Sequence, residues 1–173
     1  MGQYKNWKAY QALFPHAQAV VACPPTNSGA LGAWASVLFK AAWYVSEMGN
    51  YHTAKEIGRG ALKAREATLK AEHPDTLSSV SNLGLILESQ GKYEEAKAMH
   101  RQVLEIREKV LRPEHPHTLS SVSKLRSVLS RQGKYKEAKV IHQQVLEIRE
   151  KVLKLEHLNT LSSVSHLRSV LSR

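Results

Sequence analysis

The chain has 173 residues, 42% hydrophobic and 23% charged, a mixture that excludes disordered and fibrous proteins and lets on the order of 70% of the unfolded surface be buried. Lys and Arg number 25 against 15 acidic residues, a net charge of +10, and residues 111–173 alone carry 12 cations against 5 acids. No run reaches the roughly 18 apolar residues of a membrane span, and a single cysteine, Cys23, excludes an internal disulfide framework and points to a reducing, cytoplasmic setting.

The N-terminus, MGQYKNWKAYQALFPHAQAVVAC, lacks the continuous apolar stretch of a secretory signal, and Asn6 stands where a myristoylation signal wants Ser or Thr. Residues 1–29 read as a capping helix over about 3–22, broken near Pro15, and a loop, PPTNSG, at 24–29. Beyond it the chain repeats itself. HPDTLSSVSNLGLILESQGKYEEAKAMHRQVLEIREKVL begins at His73, HPHTLSSVSKLRSVLSRQGKYKEAKVIHQQVLEIREKVL at His115, and HLNTLSSVSHLRSVLSR at His157, a spacing of 42 residues each time. From Leu77 and Leu119 onward the two full copies agree at about two-thirds of their positions. A diverged copy lies upstream, where Gly49, Tyr51, Ala54, Leu62 and Arg65 precede Gly91, Tyr93, Ala96, Leu104 and Arg107 by the same step.

Each copy predicts two helices. Thr76 or Asp75 is placed to cap the first after Pro74, and Val80, Leu83 and Leu87 give it an apolar face up to a stop at Gly91. The second opens on Glu94 and Glu95, which suit a helix N-terminus, and carries Ala96, Met99, Val103, Ile106 and Val110 as its apolar stripe. The resulting map has helix pairs at about 31–48 with 51–69, 76–90 with 93–110 and 118–132 with 135–153, then an unpaired helix at 159–172. Residues 30–173 thus form one array, with repeats at about 31–70, 73–111 and 115–153 and a half repeat at 157–173. A hairpin with so wide an apolar face requires a neighbour stacked against it.

Chemistry-bearing residues recur with the period and therefore read as structure. His73, His115 and His157 are equivalents, as are His100 and His142. His115 and His117 have no second pair of metal ligands at useful spacing, and no phosphate-binding glycine loop occurs. Cys23, before Pro24 and Pro25, reads as a small buried residue. The recurring Arg65, Arg107 and Arg149 read as stems covering the hairpin seam. Glu94, Glu95, Glu105 and Glu108 are solvent-face charge. No catalytic constellation, metal or cofactor is expected.

The blocks at 83–111 and 127–153, with their His-Pro-x-Thr lead-in, resemble tetratricopeptide repeats of the 42-residue kind found in kinesin light chain. Family positions fall on Leu83, Gly84, Leu87, Gly91, Tyr93, Ala96 and Val103, and again on Leu125, Leu129, Gly133, Tyr135, Ala138 and Val145. ALFPHAQAV (12–20) and AAWYVSEMGNYHTAKE (41–56) look like the start of the repeat array in fungal NOD-like, STAND-type receptors. The resemblance implies an all-α fold, a right-handed α-solenoid of antiparallel helical hairpins, whose first helices line a concave groove for a peptide or partner helix. Groove positions carried over from the family are Ser81, Asn82, Leu85, Glu88 and Ser89, then Ser123, Lys124, Ser127, Ser130 and Arg131, then Ser165, His166, Ser169 and Arg173. Asn82→Lys124, Glu88→Ser130 and Ser89→Arg131 between copies make the groove more positive, which favours an acidic ligand.

The family wants Gly or Ala after the Leu, as at Ala42 and Gly84, yet Arg126 and Arg168 stand there. Either the Arg stem packs along the seam with its head in solvent, or the last repeats are tilted and weakened. Lys136, in place of Glu94, sets a cation in the first turn of a helix. Three functions follow: a non-catalytic peptide-binding module, a fragment or regulatory arm of a larger scaffold or receptor; a basic nucleic-acid binder, disfavoured because aromatics and cations do not alternate on one face; and self-association through the end helices. No membrane partner is expected.

Overall fold

The computed structural model describes residue 19 and residues 21–153. Apart from 19, 21 and 22, the expected helix over 3–22 falls outside these, as do the closing helix over 159–172, His157, Ser165, His166, Arg168, Ser169 and Arg173. Six helices occupy the described chain: α1 Ser28–Glu47, α2 Tyr51–Thr68, α3 Pro74–Ser89, α4 Tyr93–Leu111, α5 Pro116–Arg131 and α6 Tyr135–Leu153. Each bound lies within a few residues of the expected one, as a 42-residue period with glycine stops demands. The chain divides between Gln90 and Gly91 into two compact units, with three of these six described helices in each.

In the first unit α2 packs against both α1 and α3. Ala35, Leu38, Ala42 and Val45 of α1 and Ala54, Ile57, Ala61 and Ala64 of α2 recur three and four residues apart and are buried, as are Val80, Leu83 and Leu87 of α3. Small residues let the helices close up. A Cβ on Gly58 would stand 3.0 Å from Leu83 Cδ2 and 3.7 Å from Ala42 Cβ, so this α2 position admits no side chain without displacing buried Leu83. Asn27 and Asn50 cap α1 and α2 by accepting from the Ala30 and Thr53 amides at 2.7 and 3.2 Å.

In the second unit α5 packs against α4 and α6. Leu125, Leu129 and Ala138 form its apolar centre with half-buried Leu104 and Ile141 alongside. The chain reverses after α5 in a Schellman motif: Lys134 N–H donates to Leu129 C=O at 2.9 Å and Gly133 N–H to Ser130 C=O at 3.1 Å. The motif needs a left-handed residue, and Gly133 at φ +75° supplies it, as Gly49 and Gly91 do one and two periods earlier at +81° and +74°.

Three sequence expectations are corrected. The cap of α3 is His73, not Thr76 or Asp75: its Nδ1 accepts from the Asp75 amide at 3.2 Å, and His115 does the same for α5 through the His117 amide at 3.1 Å. The prolines occupy the first helical turn, where their missing N–H costs nothing, so the cap is the residue just before the proline. The buried stripe of α4 is Ala96, His100, Val103 and Arg107, whereas Met99 and Ile106 are half-buried and Val110 is 54% exposed. Two basic side chains hold core positions that an apolar pattern could not register. Cys23 is exposed at the loop, not buried.

Candidate protein-interaction surface

The first-type helices α3 and α5 are tied down by the arginines that recur on the second-type helices. Arg65 Nη1 on α2 donates to the Asp75 carbonyl at 2.7 Å and to Ser79 Oγ at 2.9 Å, both on α3. Arg107 on α4 donates in the same way to the His117 carbonyl at 2.9 Å and Ser121 Oγ at 2.8 Å, both on α5. These side chains do cover the seam, and their heads also tie one hairpin to the next helix. Burial lowers the pKa of both guanidiniums, Asp75 offsetting part of this at Arg65. Arg65 further lies 4.7 Å above the ring of Phe39.

The carried-over positions differ in how open they are. In the first unit Ser81, Asn82 and Glu88 are buried, while Leu85, 39% exposed, and Ser89 reach solvent. In the second, Ser123, Lys124, Ser127 and Ser130 are half-buried and Arg131 is exposed. Ser123 Oγ turns back to the Leu119 carbonyl at 3.1 Å. Burial first, then the field of Arg107, lowers the pKa of Lys124. Burial likewise lowers that of Arg126, whose half-buried side chain fits a stem lying along the seam.

Sequence reasoning stopped one repeat short on this face. Stepping back 42 residues from Leu85 reaches Trp43, 37% exposed on α1, with exposed Lys40 and Glu47 in the registers of Asn82 and Ser89. The same period that revealed the repeats was the available signal. Trp43 and Leu85 are large apolar side chains left open to water at one register of the first unit.

A different polar group surfaces at the hairpin turn of the second unit. Glu94 Oε1 accepts from Lys134 Nζ at 2.8 Å and from Gln132 Nε2 at 2.9 Å, and Lys97 lies 3.8 Å from Glu137. Hydrogen bonding by Lys134 chiefly holds the Glu94 carboxyl below its ordinary pKa. No group of three or more metal-ligating side chains occurs among the described residues.

A family model described as Tetratricopeptide repeat matches residues 33–109 and 78–151, together well over half of the chain. The chain belongs to the tetratricopeptide repeat family. Among solved structures it is similar to the nearly identical tetratricopeptide-like repeats of a kinesin light chain candidate from Podosopora anserina, with 25% identity over 98% of this chain and 84% of that one and a TM-score of 0.80. BtubC from P. vanneervenii has a similar fold, with 15% identity, a TM-score of 0.71, and coverage of 99% of this chain and 66% of that one. The apo form of RapI resembles it at 16% identity and a TM-score of 0.68, over 98% of this chain and 67% of that one. No curated protein matches the sequence. Tetratricopeptide repeats generally serve protein–protein interaction, and no described helix is long and apolar enough to cross a membrane.

Proposed function

We propose that this chain is a non-catalytic interaction module that holds an acidic peptide or partner helix against its first-type helices, as an arm of a larger cytoplasmic scaffold or receptor. The observation that carries the reading is Trp43 and Leu85, both exposed at one repeat register of the first unit, because large apolar side chains open to water at a shared register mark an interaction surface. The cationic row of Lys124 and Arg131 in the second unit supports the acidic character of the ligand, because unlike charge speeds encounter and selects partners. Members of the repeat family supply the precedent.

Binding of acidic peptides, and separately of single- and double-stranded nucleic acid, across a salt series tests it. Peptide affinity that falls at least about tenfold in the Lys124→Glu/Arg131→Glu protein supports the reading. Unchanged affinity sinks it. A steep salt slope with DNA or RNA and no peptide affinity replaces it with nucleic-acid binding, and mass measurement of the free protein reads self-association directly.

A further inference from the structure

Histidine is distributed unequally between the two units. At the position occupied by Gly58 in α2, α4 carries His100 and α6 carries His142. Both imidazoles are buried, His100 to 1% exposure, and His100 Nε2 has no hydrogen-bond partner among the described residues. The charge of Lys124 on α5 acts on His100, and that of Arg107 on α4 acts on Lys124 in turn. Three carboxylates of this unit pair with lysines, Glu94 with Lys134, Glu137 with Lys97 and Glu95 with Lys92, and Glu105, Glu108, Glu114 and Glu147 are exposed, so none of these is buried with the imidazole. A proton on His100 would be a buried charge on a ring whose Nε2 has no partner among the described residues, in the field of the Lys124 cation.

Among its described residues the first unit has no such group. Its described histidines are His52, exposed, and half-buried His73, whose Nδ1 lies 4.0 Å from Asp75 Oδ2, so that a proton there meets a carboxylate. The corresponding cap in the second unit, His115, instead has His117 beside it, with ring centres 5.2 Å apart. Glycine at 58 and a carboxylate at 75 remove from one unit the two features that make the other vulnerable.

We propose that this chain contains an acid-sensitive half: protonation of the buried imidazole of His100 opens the second unit, α4 and α5 first, while the first unit keeps its packing. The device is independent of what the first-type helices bind. It would withdraw the surface formed by Ser123, Lys124, Ser127 and Arg131 when the surroundings turn acid.

The direction follows from proton linkage. Burial, with a smaller contribution from Lys124, lowers the pKa of His100 to about 4 from 6.5. The unfolded chain thus takes up the proton first as pH falls, and stability is lost between pH 6.5 and about 4 and then levels. Those two values imply an opening equilibrium about 30-fold larger at pH about 5 than at about 7.5.

Hydrogen exchange with mass spectrometry on the intact chain across that range, read as protection factors, tests the proposal. Protection in α4 and α5 is expected to fall about 30-fold, with less than about threefold change in α1 to α3, and His100→Gln to flatten the response. An equal fall in both units, no fall, or an undiminished response in His100→Gln overturns it. Should His100→Gln not fold, NMR titration of the His100 ring in the unsubstituted chain decides: a midpoint below pH about 5 upholds the proposal, and one at or above that overturns it.

Discussion

Replacing Arg107 by Met keeps most of the buried stem and deletes the guanidinium, so it isolates what the head contributes. Two hydrogen bonds of 2.8 and 2.9 Å are lost. Bonds from a charged donor contribute about 1.5–3 kcal/mol each in net terms. Two effects pull the total down. Burying the guanidinium is itself unfavourable, the cause of its lowered pKa. Ser121 Oγ also donates to the His117 carbonyl at 3.1 Å, so neither partner is orphaned by the substitution. We expect Arg107→Met to destabilise the second unit by about 2 kcal/mol. Arg65→Met loses the equivalent pair at 2.7 and 2.9 Å together with the Phe39 ring and the field of Asp75. That site is expected to cost about 1–2 kcal/mol more. Urea unfolding combined with native-state hydrogen exchange, which reads each unit separately, measures both. The cycles Arg107→Met/Ser121→Ala and Arg65→Met/Phe39→Leu should show couplings of about 1 kcal/mol or more. Loss of less than about 0.5 kcal/mol at both arginines would refute the reasoning and reduce these side chains to packing stems.

Gly133→Ala should cost about 1 kcal/mol, since its φ of +75° is the whole penalty and nothing lies within 4 Å of the added Cβ; thermal melting of the second unit reads it, and Gly133→Asn should recover part. Gly58→Val places a branched side chain against Leu83 and Ala42 and should destabilise the first unit by about 1–3 kcal/mol in urea, even though Val is a better helix former than Gly. His73→Ala should remove about 1 kcal/mol of α3 stability by deleting the acceptor for the Asp75 amide, and His73→Asn should restore it; equal melting of the two variants would show that the cap is inert.

Reading the sequence for its period located the helices because a repeat states the same boundary several times. Gly49, Gly91 and Gly133 mark three turns at one register, each left-handed. Val80, Leu83 and Leu87 were legible as core because apolar residues at helical spacing have one good use in a soluble hairpin. The interaction surface was legible only in part. The exposure of Trp43 depends on which way α1 is rolled, which three- and four-residue spacing alone leaves open. Cys23 failed for a related reason: a small apolar residue in a loop is buried only if something covers it.

By itself the sequence determined the all-helical class, the 42-residue period, the hairpin turns and the place of the positive charge, because each depends on local backbone preference or on counting. The tertiary structure decided the roles of the buried basic residues. Arg65, Arg107 and His100 share a face with alanine and valine, and a linear pattern sees them as interruptions of an apolar stripe. Whether such a group is a strut or a liability depends on what the neighbouring helix offers. Arg107 meets a carbonyl and a hydroxyl from α5, whereas His100 lies in the field of Lys124 on the same helix. A buried charge is tolerated where it has a partner and expelled where it does not, and partners across a helix crossing are fixed only when the chain has folded.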